Sequence, residues 1–207
     1  VSQEATVNPD GVRWLRRAVV SFSPENNMVR LDDHTFVKYD SLVVAPGIQL
    51  NWDQIKGLKA TLGKNGVCSN YRFDQAPYTW ECIRNFKGGT ALFTNPPTVV
   101  KCGGAPQKIM WLAADYFKRH GLFDKTSIQF WSGGTRLFAV DKYERTLKKV
   151  ADRSHTDLHF YTNLVEIDGD GKRAKFIGIG PHNRDQEYWV SFDLIHVTDR
   201  KSVVSGP

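Results

Sequence analysis

The chain has 207 residues, of which 41% are hydrophobic, 12% aromatic and 24% charged. That suffices for one good core or two small ones and argues against disorder. The formal charge is +6, but the basic residues (Arg13, Arg16, Arg17; Lys101, Lys108; Lys148, Lys149, Arg153) are scattered, so no nucleic-acid stripe is expected. Mild attraction to an anionic substrate or lipid surface is the simpler reading.

In chain order, Arg16–Phe22 is predicted as a strand, with a turn at 23–27. Met28–Leu31 and Thr35–Tyr39 alternate across a second turn at Asp32-Asp33. Leu42–Ala45 is a continuous β-prone run closed by Pro46-Gly47, which suits a strand buried on both faces. Residues 48–73 read as a loop. Asp74 is a candidate cap for a helix reaching Phe86, stopped by Gly88-Gly89. A short strand at Thr90–Thr94 precedes a helix from Pro106 to His120, whose core face is Ile109, Ala113 and Tyr116 or Phe117.

Ser127–Trp131 reads as a strand, Lys142–Arg153 as a helix with Tyr143, Leu147 and Val150 inward, and Leu158–Tyr161 as another strand. Asn163–Ile167, Lys175–Ile179 and Glu187–Val190 then form a meander returning into Phe192–Thr198. The patterns Tyr39-Asp40…Val43-Val44-Ala45 and Phe192-Asp193…His196-Val197-Thr198 match. That weak symmetry predicts duplicated domains, and the strand–helix alternation between them predicts a parallel α/β sheet.

Three cysteines without a CxxC, and six dispersed histidines, give no support to a disulfide framework or a metal site. Cys102 is placed between a short strand and a helix N-terminus, with Lys101 adjacent. That setting favours thiolate over thiol, although on spacing alone a packed, inert cysteine at a helix start is the simpler reading. Gly103-Gly104 lets backbone approach a planar group. Cys82, within a helix, is most simply packing. If the strand at Thr90–Thr94 led into a nicotinamide site, GxGxxG should follow. Instead Asn95-Pro96-Pro97 follows, and prolines cannot supply the N–H groups that cradle a pyrophosphate.

Two stretches resemble a known family. Tyr39–Gly47 (YDSLVVAPG) resembles the strand and turn by which disulfide-reductase-like flavoproteins bring backbone against FAD. Lys101–Met110 (KCGGAPQKIM), preceded by ALFTNPP, is similar to the cysteine-bearing segment of the eukaryotic-like sulfide:quinone oxidoreductases, as is Gly66–Tyr71. The resemblance implies an α/β fold of duplicated FAD/NAD(P)-binding-like domains, each a parallel sheet with helices plus an antiparallel meander, cut at both ends. It implies a partial FAD-binding domain over 1–88 and a second domain carrying Cys102 over 89–198. The tail 199–207 does not continue the family pattern and is expected to be foreign. The missing initiator methionine likewise implies a lost start.

The family implies FAD, sulfide as donor, a membrane quinone as acceptor, a sulfane-sulfur acceptor and a redox cysteine pair. Cys102 would be its flavin-facing member, released as thiolate when hydrosulfide attacks the partner sulfur. Pro46 and Gly47 would approach FAD, and Val19 would present backbone to the adenine. Lys108 is a candidate contact for anionic sulfur or a quinone oxygen, with a solvated lysine as the competing reading. Cys68 aligns loosely with an accessory cysteine of bacterial relatives, or is a bystander thiol.

The glycine-rich loop is expected upstream. The second cysteine and the helices for peripheral membrane contact are expected downstream, so the piece alone is expected to be soluble and inactive. No signal peptide or bilayer-spanning run is visible, and self-association is left open. The alternatives are a sulfide dehydrogenase flavoprotein using cytochrome c, or a non-catalytic flavoprotein-like interaction domain.

Overall fold

A computed structural model describes residues 10–98, 100, 102–198 and 201–202. Lys101 and most of the 199–207 tail, both invoked above, lie outside the described residues. The chain divides into two compact units, Val1–Ala45 and Pro46–Pro207.

The first unit is an antiparallel meander of β1 (Val19–Ser23), β2 (Met28–Leu31) and β3 (Phe36–Lys38), in that order. Strand β1 starts later than predicted and is irregular in register between Val19 and Ser21. Asp33 accepts the Thr35 N–H at 3.0 Å, which closes the turn at 32–35. Leu42–Ala45 does not form the expected buried strand: it is irregular, and Val43 is 89% exposed. A strand buried on both faces needs neighbours on both edges, and the described part of this unit offers only the three-stranded meander.

The second unit contains a parallel five-stranded sheet. Its strands are β5 (Val67–Cys68), β12 (Leu194–His196), β6 (Gly89–Asn95), β7 (Thr126–Ser132) and β8 (Thr156–His159), in that spatial order. Residues 48–73, expected as loop, contain β4 (Ile48–Gln49), a short helix α1 (Leu58–Thr61) and the edge strand β5. The pattern missed them because two-residue strands carry no periodicity. Strand β4 pairs antiparallel with β13 (Lys201–Ser202).

Alternation along the strands sorts side chains onto two faces. Ala91, Phe93, Ile128, Phe130 and Leu194 meet α2 (Ala76–Asn85) and α3 (Ala105–Arg119) in one core. Leu92, Trp131 and Ile195 face the other core. There they meet the second antiparallel meander, β9 (Thr162–Asp168), β10 (Arg173–Gly178) and β11 (Glu187–Ser191). Both expected meanders are therefore present, and the second does return into a buried parallel strand.

Helix α3 buries Ile109, Met110, Ala113, Ala114 and Phe117, a wider stripe than the predicted one. Gln75, not Asp74, sits at the N-cap of α2, because Asp74 is paired with the Arg72 guanidinium at 2.6 Å. Helix α4 (Asp141–Arg153) leaves Tyr143, expected inward, 57% exposed, while Glu144 and Ala151 are buried. The reason is Arg136, whose guanidinium bonds the Glu144 carboxylate and turns that face inward. Among the described residues no helix is long and apolar enough to cross a membrane, and no cluster of three or more His, Cys, Asp or Glu side chains could hold a metal.

Phe117 is fully buried and stacks on Phe86 with ring centroids 4.6 Å apart. Truncating it removes contacts from both α2 and the sheet. Phe117→Ala is expected to lower unfolding free energy by about 3–5 kcal/mol, read as a shift of the urea midpoint at unchanged slope.

Candidate functional site

In the order β5-β12-β6-β7-β8, the direction of winding switches between β12 and β6, and ligands of such sheets sit at the carboxyl ends beside that switch. A crevice of about 240 Å³ lies there, lined by Thr94 and Asn95 from the end of β6, Pro96 and Pro97 beyond it, and Thr198 beyond β12. Asn51 and Gln54 close another side. They follow soon after Pro46-Gly47, so the sequence leaving that turn and the sequence leading to Cys102 border one crevice. Pro46 and Gly47 are exposed, and Gly47 has φ +75 with open space, nothing within 4 Å, where a Cβ would sit. That is left-handed backbone that favours glycine.

The turn at the end of β6 is fixed by packing. A side chain on Gly133 would meet the Pro97 nitrogen at 2.4 Å, so the β7–α4 loop and the proline turn can approach this closely only with glycine there. Gly133 N–H also donates to the Asn95 carbonyl at 2.8 Å. The Asn95 amide nitrogen donates to Ser132 Oγ at 3.0 Å. Asn95 Oδ1 and Thr198 Oγ1 are buried without a hydrogen-bond partner among the described residues. Such orphaned polar atoms carry a cost unless a ligand or water satisfies them.

Beyond the prolines, the Cys102 carbonyl accepts the Ala105 N–H at 3.1 Å, which opens α3. Cys102 is a free, exposed thiol. Its sulfur is 4.0 Å from where a Cβ on Gly104 would sit, and the edge of the Phe138 ring is 3.8 Å and 3.9 Å from the Cβ positions of Gly103 and Gly104. Sulfur, two bare glycines and an aromatic edge therefore meet at the start of α3. Phe138 is held by its loop. Arg136 bonds Glu144 and reaches Asp141 at 2.5 Å, and Arg136 beside Glu144 holds that carboxyl below its ordinary range.

Gly104 and Phe138 also line an apolar groove of about 560 Å³ between α3 and α4, with Trp111, Leu112, Tyr143 and Leu147. Lys108, one turn into α3, is exposed and lines the same groove. Val19 lies in β1 of the first unit and is 45% exposed.

Cys102, Lys108, Pro46 and Gly47 stand out in the sequence, whereas Asn95, Thr198, Phe138 and Gly133 do not. Of these four, only Asn95 and Gly133 carry a local signal, as part of the proline turn and of the Ser-Gly-Gly loop. Cys68, expected as a loop thiol, is instead 1% exposed at the end of β5.

His196 on β12 is fully buried, stacked on Phe93 with Tyr71 tilted against it. The Asn70 N–H donates to its Nε2 at 3.2 Å, and burial pushes its pKa down to about 3.

No protein-family model matches the chain. It is 46% identical over 190 residues to the mitochondrial sulfide:quinone oxidoreductase of Dictyostelium discoideum, covering 91% of this chain and 41% of that protein. To the mitochondrial sulfide:quinone oxidoreductase of Mus musculus it is 34% identical over 198 residues, covering 96% and 44%. The chain therefore spans less than half the length of these curated relatives.

Among solved structures, the sulfide:quinone oxidoreductase of Aquifex aeolicus superposes with a TM-score of 0.68 at 16% identity, covering 88% of this chain and 41% of that one. A chain of the Tetrahymena thermophila mitochondrial ATP synthase superposes at 0.71 and 22% identity, covering 89% and 46%. At these identities the superpositions speak for the fold: a parallel sheet with helices and antiparallel strands, as in flavoprotein oxidoreductases.

The low pKa of His196 has a pH consequence. Between pH 6.5 and 3 the unfolded chain takes up a proton that the folded chain refuses, so stability falls as pH drops through that window. His196→Leu should flatten the acid limb of a stability–pH curve by up to about 1.4 kcal/mol per pH unit. Urea titrations of both proteins between pH 7 and 4 check this, and parallel limbs would contradict it.

Proposed function

The chain belongs to the sulfide:quinone oxidoreductase family, and we propose that it supplies that enzyme's flavin-facing redox cysteine, Cys102, and one wall of its flavin site. The observation that carries the reading is an accessible thiol beside Gly104, in the segment that follows a proline turn at the sheet's switch point. The residues suit a flavin. Asn95 Oδ1 and Thr198 Oγ1 are buried and unsatisfied, matching the amide edge of a flavin ring, and Gly103-Gly104 present no side chain to a flat surface. FAD would supply the two-electron acceptor that the chain's own side chains lack.

In this reading Asn95 and Thr198 orient the ring, and Pro46-Gly47 approach it through backbone. The resting protein bridges Cys102 to a second cysteine supplied from outside this chain. Hydrosulfide attacks that partner sulfur and the S–S bond breaks. Cys102 leaves with the bonding pair as thiolate, and the partner is left as a persulfide. A sulfane-sulfur acceptor then removes the outer sulfur and leaves the partner as a thiolate; re-forming the S–S bond between the two thiolates releases the electron pair that a bound FAD would accept on behalf of a membrane quinone.

Phe138 packs against Gly103 and Gly104 beside Cys102, and in the proposal the Lys108 ammonium, on the groove that Gly104 and Phe138 also line, attracts anionic sulfur or a quinone oxygen. Absence of a glycine-rich loop after β6 speaks against a nicotinamide at this position, since Pro96 and Pro97 have no N–H to offer a pyrophosphate. A mitochondrial location, peripheral membrane contact through sequence outside this chain, and a division into domains at 88/89 belong to the same proposal.

The test is a graft of residues 10–198 in place of the matching segment of the Dictyostelium relative. With FAD bound, sulfide should bleach the flavin absorbance and drive quinone reduction, and Cys102→Ser should slow both by at least about a hundredfold. A Cys102→Ser graft that keeps its flavin and still bleaches at the parental rate would contradict the assignment. Preferential reduction of cytochrome c would move the protein to the sulfide dehydrogenase class.

A further inference from the structure

The other two cysteines meet each other. Cys68 ends β5, Cys82 lies on α2, and the two elements pack together in one core. Cys68 is fully enclosed, whereas Cys82 is half-buried. The Cys68 S–H donates to the Ile195 carbonyl oxygen at 3.5 Å, and the Cys82 sulfur lies beside the Cys68 thiol, close enough to shift its ionisation. The Tyr78 hydroxyl, which accepts the Gly66 N–H at 3.2 Å, is a further partner of Cys82.

These contacts make the pair asymmetric. Hydrogen bonds from Cys68 and Tyr78 hold Cys82 below the ordinary thiol range, even against the neighbouring Glu81. The bond to Cys82, together with burial, pushes Cys68 up. The group that ionises first is thus the one that solvent reaches, and the protonated thiol stands behind it. Attacking and resolving thiols of oxidation-sensitive pairs differ in this way.

We propose that Cys68 and Cys82 form a second dithiol and an oxidative modification site, in which a small peroxide reacting at Cys82 ends as a disulfide tying β5 to α2. The Cys82 thiolate attacks the peroxide O–O bond. One oxygen stays on sulfur as a sulfenic acid and the other leaves as water. The Cys68 thiol then attacks the Cys82 sulfur, so that the S–S bond forms, the S–O bond breaks, and a second water leaves with the Cys68 proton. Two electrons pass from the thiols to the peroxide, and Cys102 takes no part. The inference rests on the packing of β5 and α2, and it stands or falls separately from the flavin reading.

Trypsin places the three cysteines on separate peptides, Asn65–Arg72, Phe73–Arg84 and Cys102–Lys108. The folded chain is treated with equimolar hydrogen peroxide, blocked with iodoacetamide and digested without reduction. The expected product joins the first two peptides at about 2 Da below the sum of their thiol masses, disappears with dithiothreitol, and persists in Cys102→Ser. Since Cys102 is exposed, that variant leaves the core intact.

Recovery of Cys68 as an unmodified thiol beside a sulfinic Cys82 would overturn the proposal. So would a cross-link that runs to the Cys102 peptide instead. Peroxide treatment in urea supplies a second readout. The Cys68–Cys82 product should fall severalfold relative to random pairing with Cys102, and an equal distribution in the folded chain would likewise overturn the proposal.

Discussion

Strand β6 is paired along both edges, to β12 at Ala91–Phe93 and to β7 over its whole length from Gly89 to Asn95. Ala91, Leu92 and Phe93 are fully buried, and Asp193 accepts the Thr90 N–H at 2.9 Å, anchoring the strand at its start. A strand locked this way has one register, because a slip of one residue would exchange Phe93 and Leu92 between two cores of different composition. The crevice and the segment leading to Cys102 both start from its far end. Asn95, the proline turn and Cys102 take their positions from where β6 stops.

The surroundings of that end are specified by neighbours rather than by the turn itself. Gly133 leaves room for Pro97, Ser132 holds the Asn95 amide, and Thr94 Oγ1 accepts the Thr198 N–H at 3.0 Å. The Arg136–Glu144 bond then holds the loop that carries Phe138. The ends of β6 and β12 and the stretch around Asn51 and Gln54 thus converge on one small crevice. Rigid strands deliver the groups, and the variable loops decide what they can bind.

Most of the second unit was legible in the sequence because its elements are long and periodic. The helices at 105–119 and 141–153, and the strands around Phe93 and Phe130, announce themselves by spacing. What escaped has physical reasons. The edge strand Val67–Cys68 is too short to show alternation. Tyr143 has an apolar ring but is displaced outward by the buried Glu144 ion pair, which no hydrophobic pattern can signal. Leu42–Ala45 has the composition of a buried strand, yet composition cannot supply the neighbours it would pair with. Cys102 stands out by its glycines and prolines, whereas Thr198 reaches the crevice, and Phe138 the start of α3, only through tertiary folding.

The proposed sulfide chemistry requires that Cys102 look onto a flavin. A crystal structure of the FAD-bound protein containing this chain measures that directly. Sγ of Cys102 is predicted in van der Waals contact with the isoalloxazine ring, at about 3.5–4 Å, with Asn95 Oδ1 or Thr198 Oγ1 hydrogen-bonded to the ring's amide edge. A ring bound elsewhere, with Cys102 still facing open solvent and the two oxygens still unpartnered, would contradict it.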